Sequence, residues 1–156
     1  MKKKLLTLLL TTCLVLIFTG CGENKDLTKY KNEMDKFFSN VELIDSQMNS
    51  IDYEKENALD ELFTCLDNLD KEFKAMAQIE VPNEFSSIES LADEASENMT
   101  LSVEKYKEAY SYDSYNEYTA ATAYEYYKRA NKRLQYMIDI LHGKIPEGDD
   151  VTITEE

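Results

Sequence analysis

Residues 53–78 read YEKENALDELFTCLDNLDKEFKAMAQ. Their apolar members, Leu59, Leu62, Phe63, Leu66, Leu69, Phe73, Met76 and Ala77, recur every three or four positions with acidic and basic residues between them. That spacing is one face of an amphipathic α-helix. A helix with a single apolar face must bury it against other elements, so the neighbouring segments decide the fold.

On the N-terminal side, Asn49-Ser50-Ile51-Asp52 offers three capping residues in a row and marks a turn. Before it, Leu27, Tyr30, Met34, Phe37, Phe38, Val41, Ile44 and Met48 form a second 3–4 stripe, which predicts a first helix from about Asp26 to Asn49. On the C-terminal side, Val81 is kept out of the α region by Pro82, and proline is tolerated in the first turn of the next helix. A third helix is expected to about Ser111, burying Phe85, Ile88, Leu91, Ala92, Ala95, Met99, Val103, Tyr106 and Tyr110, with Ala92, Ala95 and Ser102 small enough for close helix approach. Ser111-Tyr112-Asp113-Ser114 holds no Gly or Pro but predicts the next break, with Asp113 or Ser114 as N-cap. The fourth helix is expected to about His142, carrying Tyr118, Ala121, Tyr124 or Tyr127, Ala130, Leu134, Met137, Ile138 and Leu141, before Gly143 and Pro146 stop it.

Four helices of about 24–30 residues, each ~35–45 Å long, joined by short turns, make an all-α, up-down-up-down antiparallel bundle over residues 26–143. Fusion of the third and fourth into one rod, giving three helices, is the alternative. The tail, residues 144–156, is acidic, short of apolar residues and expected to be disordered. Scarce glycine (4) and proline (2) and the absence of tryptophan agree with an all-helical domain.

The N-terminus has a different logic. Met1-Lys2-Lys3-Lys4 precedes an apolar run, Leu5 to Phe18, that has the length of a signal-peptide core and is shorter than the roughly 20 residues of a membrane span. Thr19 and Gly20 lead into Cys21. Phe18-Thr19-Gly20-Cys21 resembles the bacterial lipobox, with Phe18 where leucine is usual. The resemblance covers residues 1–21 and implies cleavage between Gly20 and Cys21. It also implies diacylglyceryl transfer to the Cys21 thiol and anchoring in the outer leaflet of the cell membrane by palmitate-type chains. Two acyl chains hold lastingly where one gives marginal binding. The same residues also fit an ordinary secretory signal with Cys21 incidental. Residues 21–25 are then a polar lipidated tether that keeps the domain near the bilayer. The stretch Val81–Phe85, followed by an Ala/Tyr-bearing hairpin to His142, is similar to small uncharacterised helical-bundle lipoproteins of Gram-positive bacteria and carries no catalytic motif.

Charge bounds the partners. Loss of Lys2, Lys3 and Lys4 with the leader leaves 14 basic against 31 acidic groups, a net of −17. Nucleic acid, which needs a basic face, is not an expected partner. Ten basic residues fall in the half of the bundle nearer the tether, and only Lys55, Lys105 and Lys107 in the far half, against twelve carboxylates. The near end should therefore approach anionic headgroups more easily.

Chemistry is sparse. No Gly-rich phosphate loop and no G-x-S-x-G elbow occurs. One histidine, His142, sits where a helix-ending cap is expected and cannot build a zinc site alone. Asp139-x-x-His142 is not the repeated Glu-x-x-His of di-iron bundles. The acidic groups lack EF-hand spacing. Cys65 shares the stripe of Leu62, Leu66 and Leu69 and is read as a buried thiol. No cofactor, metal or nucleophile–base pair is expected, so the chain is read as a non-enzyme. The remaining signal is tyrosine: nine of 11 lie between Tyr106 and Tyr136. Tyr110, Tyr112, Tyr115 and Tyr118 near the far turn are the candidate surface for an envelope protein or polymer, since tyrosine is large, stiff and amphipathic. Two classes remain open: a membrane-tethered interaction module, and a small-ligand carrier with a Tyr/Met-lined pocket inside the bundle.

Overall fold

A computed structural model describes residues 24–111 and 114–145. It contains four α-helices: α1 (Lys25–Asn49), α2 (Ala58–Ala77), α3 (Ser87–Ala109) and α4 (Glu117–Leu141). No strand occurs among the described residues. The expected signal peptide, the expected lipidation position Cys21 and most of the acidic tail lie outside them.

Side-chain bonds between helices fix the topology. Asn40 donates to Glu72 at 2.9 Å and Lys29 pairs with Glu80, so α1 and α2 run antiparallel. Thr100 donates to Asp70 at 2.6 Å and Lys107 pairs with Asp67, which sets α3 against α2. Ser102 donates to the Ala123 carbonyl and Arg133 pairs with Glu94, which sets α4 against α3. The Asn24 side chain donates to Glu84, bringing the start of α1 to the α2–α3 connection. The order is up-down-up-down, as the stripes require.

The core follows those stripes. Tyr30, Met34, Phe37, Val41 and Ile44 of α1 meet Leu66, Leu69, Phe73 and Met76 of α2, and Ile88, Leu91, Met99 and Val103 of α3 join them. Phe37 and Phe73 meet edge to face at 5.2 Å, a favoured aromatic geometry. From α4 come Ala123, Ala130, Leu134 and Met137. The closest pairing, α3 with α4, is built of small residues: Ala92, Ala95, Ser96 and Ser102 face Ala120, Ala123 and Ala130.

Element ends depart from the sequence expectation for local reasons. Helix α1 starts at Lys25 because the Asn24 carboxamide oxygen accepts from the Asp26 and Leu27 N–H groups. Helix α2 starts at Ala58, five residues after the expected Tyr53. Asp52 accepts the Glu54 N–H on its side chain and the Lys55 N–H on its carbonyl, so residues 52–57 spend their polar groups on turns. Residues 54–57 also offer no apolar side chain to bury. Pro82 opens a 3₁₀ turn, Asn83–Phe85, ahead of α3. Helix α4 is capped by Asn116, whose side chain accepts the Thr119 N–H at 3.0 Å, and not by Asp113 or Ser114. Ser111 and Ser114 instead bond each other across the turn, and the Asn116 N–H reaches Ala109. At the other end of α4 the Gly143 N–H bonds Ile140 and the Lys144 N–H bonds Asp139, a Schellman closure with Gly143 at φ +70°. His142 is the C-cap residue, its ring Nδ1 2.8 Å from the Ile138 carbonyl.

Candidate functional site: the tyrosine-rich far end

Antiparallel pairing places the start of α1, the α2–α3 connection and the end of α4 at one end of the bundle. The 50–57 connection and the turn between α3 and α4 share the other end. Large core side chains crowd the first end: Tyr30, Phe73, Met76, Ile88 and Met137 are all essentially inaccessible. Towards the far end the seam between α3 and α4 narrows to Ser102, Val103, Ala109, Thr119, Ala120 and Ala123. Tyrosines surround this narrow part.

The turn carries them by a pinch. The Asn116-to-Ala109 bond and the Ser111–Ser114 bonds hold Tyr110 and Tyr115 opposite each other as an isolated antiparallel bridge. Their rings are 5.0 Å apart, and Tyr106 lies behind Tyr110 at 6.4 Å. On α4, Tyr124 stacks on Tyr127 at 6.3 Å. Tyr53 donates its hydroxyl to the Met48 carbonyl at the end of α1.

The four expected surface tyrosines separate. Tyr118 is 84% exposed and Tyr115 56% exposed. Tyr110 is half-buried and packs against the core. Tyr112 lies outside the described residues. Tyr118 and Ala121 were expected on the buried stripe of α4, and both are exposed. The Asn116 cap sets the first turn so that Thr119, Ala120 and Ala123 point inward. The narrow seam against α3 has room for those small residues only, so the tyrosines stand at its edges.

Burial organises the electrostatics. Desolvation, then the neighbouring Tyr115, pushes the Tyr110 hydroxyl up to about 12. Burial likewise lifts Tyr127 to about 12. It raises Tyr106 and Tyr30 further still. Asp45, in the last turn of α1 and near enough to act on Tyr127, is raised by burial against the opposing effect of its bond from Asn49. Cys65 is buried, and its thiol is raised first by desolvation and then by Glu61. That environment disfavours the thiolate a nucleophile needs.

The pattern of residues missed the buried Tyr136 and the involvement of Tyr53 and Asp45. Tyr136 lies off the expected apolar stripe yet is packed into the core, with Lys132 and Arg133 over its ring at 5.5 and 5.8 Å. The spacing of Lys132, Arg133 and Tyr136 could have signalled that contact. Tyr53 and Asp45 are brought in by tertiary packing alone. Among the described residues, no group of three or more His, Cys, Asp or Glu side chains could hold a metal ion, and no helix is long and apolar enough to cross a membrane. No family model, curated protein or solved structure matches the chain.

Proposed function

We propose that the chain is a membrane-anchored lipoprotein whose bundle is a non-catalytic interaction module of the cell envelope. Cys21 carries the acyl anchor, and the exposed far-end tyrosines meet a protein or envelope polymer. The observation supporting this reading is the exposure of Tyr115 and Tyr118 at the end opposite the start of α1. Exposed, stiff aromatics with a polar tip are the side chains that carry binding energy at interfaces. A short tether at the α1 end would direct that surface away from the bilayer.

Cross-linking in native membranes followed by pull-down tests it. Wild type should recover a partner that Tyr115→Ala/Tyr118→Ala loses, and equal recovery removes the interaction surface. Membrane fractionation and mass determination test the anchor separately. Cys21→Ala should abolish acylation and membrane retention, and a variant that stays acylated and membrane-bound overturns the Cys21 assignment.

A further inference from the structure

We propose that the far end of the bundle, where Tyr115 and Tyr118 stand beside Glu117 and Tyr53 beside Glu54, docks a lysine- or arginine-bearing segment of a partner protein. This rests on the interaction-module reading above and names the chemistry of its partner.

The bundle carries its own instance of the contact. On α4 the Lys128 ammonium lies 5.3 Å over the Tyr124 ring and pairs with Glu125 at 2.8 Å. A phenol face and the carboxylate of the next residue hold one cation together. The helix allows this because residue 128 follows Tyr124 by four positions and Glu125 by three. The ring offers its negative face and the carboxylate a full charge.

The first turn of α4 repeats the pair without the cation. Glu117 and Tyr118 are adjacent and exposed, Tyr118 by 84%. The positions one turn on, which would reach back to them, hold Ala120, Ala121 and Thr122. Tyr53 and Glu54 form a third such pair, both exposed, in the 50–57 connection. Among the described residues no cation lies over Tyr53, Tyr115 or Tyr118.

These pieces form one surface. The Tyr115 ring meets Tyr110 at 5.0 Å, and Tyr53 is close enough to Tyr110 to act on its hydroxyl. The charge around them is one-sided. Asp52, Glu54, Glu56, Glu104 and Glu117 are exposed, and none enters an ion pair among the described residues. Of the cations at this end, Lys105 is held by Glu108 and Lys107 by Asp67. Lys55 alone is set against those five carboxylates. Such a surface draws positive charge and repels negative. Its ring–carboxylate pairs lie on two separate elements, and each takes one cation. A polypeptide with basic side chains at successive positions fills both, its aliphatic stems lying along the phenol faces.

The full-length chain in neutral detergent is titrated into a fluorescein-labelled peptide of alternating arginine and alanine, and anisotropy is read at low and at physiological salt. Binding should appear at both and be weaker at the higher. Tyr118→Leu should weaken it about threefold and Tyr115→Leu/Tyr118→Leu about tenfold, while Tyr115→Phe/Tyr118→Phe, which keeps the ring faces, should stay within about twofold. Glu54→Gln/Glu117→Gln should cost about fivefold at low salt, and Glu89→Gln/Asp93→Asn, the same charge change at the other end, less than about twofold. Circular dichroism checks that helicity is kept, and Tyr118→Leu, at a side chain standing in solvent, keeps the test readable should the turn variant unfold. The proposal is overturned if the peptide is not bound, if the leucine variants bind as the phenylalanine one does, or if the two carboxylate pairs lose binding equally. It is also overturned if spermine binds with the same dependence on Tyr118, since a small polyamine then suffices. A cross-linked partner that depends on Tyr115 and Tyr118, with no binding of the peptide, keeps the interaction module and removes only its cationic partner.

Discussion

Ser102 gives the sharpest test of how the bundle is built. It is 1% exposed, and its hydroxyl donates 2.9 Å to the Ala123 carbonyl across the α3–α4 seam. Two effects can be separated there. Ser102→Ala removes the hydrogen bond. The Ala123 carbonyl keeps its place in the helical ladder, so nothing buried is left without a partner, and the cost should be about 1 kcal/mol. Ser102→Val also loses the bond and adds bulk where two helices meet through alanine and serine, which costs a further 1–3 kcal/mol or about that. For a domain of about 120 residues, 1 kcal/mol is roughly 4 °C in Tm. Urea unfolding followed by circular dichroism should therefore place alanine slightly below wild type and valine well below alanine, with an unchanged m value. A valine variant as stable as the alanine one would show that the seam is loose, and the account of why tyrosines are displaced from it would fall.

Three further outcomes follow from single residues. The hydroxyls of Tyr110 and Tyr127 are raised from 10.0 to about 12, so the native state holds protons that the unfolded chain gives up first. Stability should be intact below pH 10 and fall as pH rises towards 12, read from urea midpoints and the 295 nm tyrosinate band; a flat profile would contradict the burial. Asp45 is raised by burial and lies at the C-terminal end of α1, where a negative charge also opposes the helix dipole. Asp45→Asn should raise the urea midpoint at pH 7, and the gain should vanish on acidification as the wild-type carboxyl protonates; a gain that persists unchanged in acid counts against it. Gly143 sits at φ +70° with open space around its Cα, so Gly143→Ala should cost about 1–2 kcal/mol from backbone strain alone, and an unchanged midpoint would deny the closure its role.

Periodicity carried the fold well because each helix has one apolar face and the turns between them are short. The stripes of α1, α2 and α3 reappear almost residue for residue in the core, and Gly143 ends α4 as its position implied. Side-chain hydrogen bonding decided what periodicity could not. The late start of α2 depends on Asp52 bonding its own turn, and the cap at Asn116 depends on Ser111 and Ser114 having already satisfied each other. Neither competition is visible in residue spacing, because several capping residues stand side by side and the pattern does not rank them. The candidate surface was legible as a region and not as a face. Tyr115 and Tyr118 are exposed while Tyr110 packs inward, and successive residues of a helix point about 100° apart, so Thr119 faces inward where Tyr118 faces solvent.

That last dependence ties the fold to the site. The inner face of α4 at the far end is Thr119, Ala120 and Ala123, set against Ser102, Val103 and Ala109 of α3. Helices that meet through such small side chains approach closely and leave no slot for a phenol ring. The tyrosines of α4 in that stretch then take its edges: Tyr127 towards α1 and Asp45, Tyr124 stacked on Tyr127 and exposed, Tyr126 towards Lys105 of α3, Tyr118 outward to solvent. The exposed aromatics at the far end are thus a consequence of close packing one layer beneath them. Widening the seam, as Ser102→Val would, should change which tyrosines are presented as well as how stable the bundle is. Stability and surface chemistry at this end are set by the same few alanines and one serine.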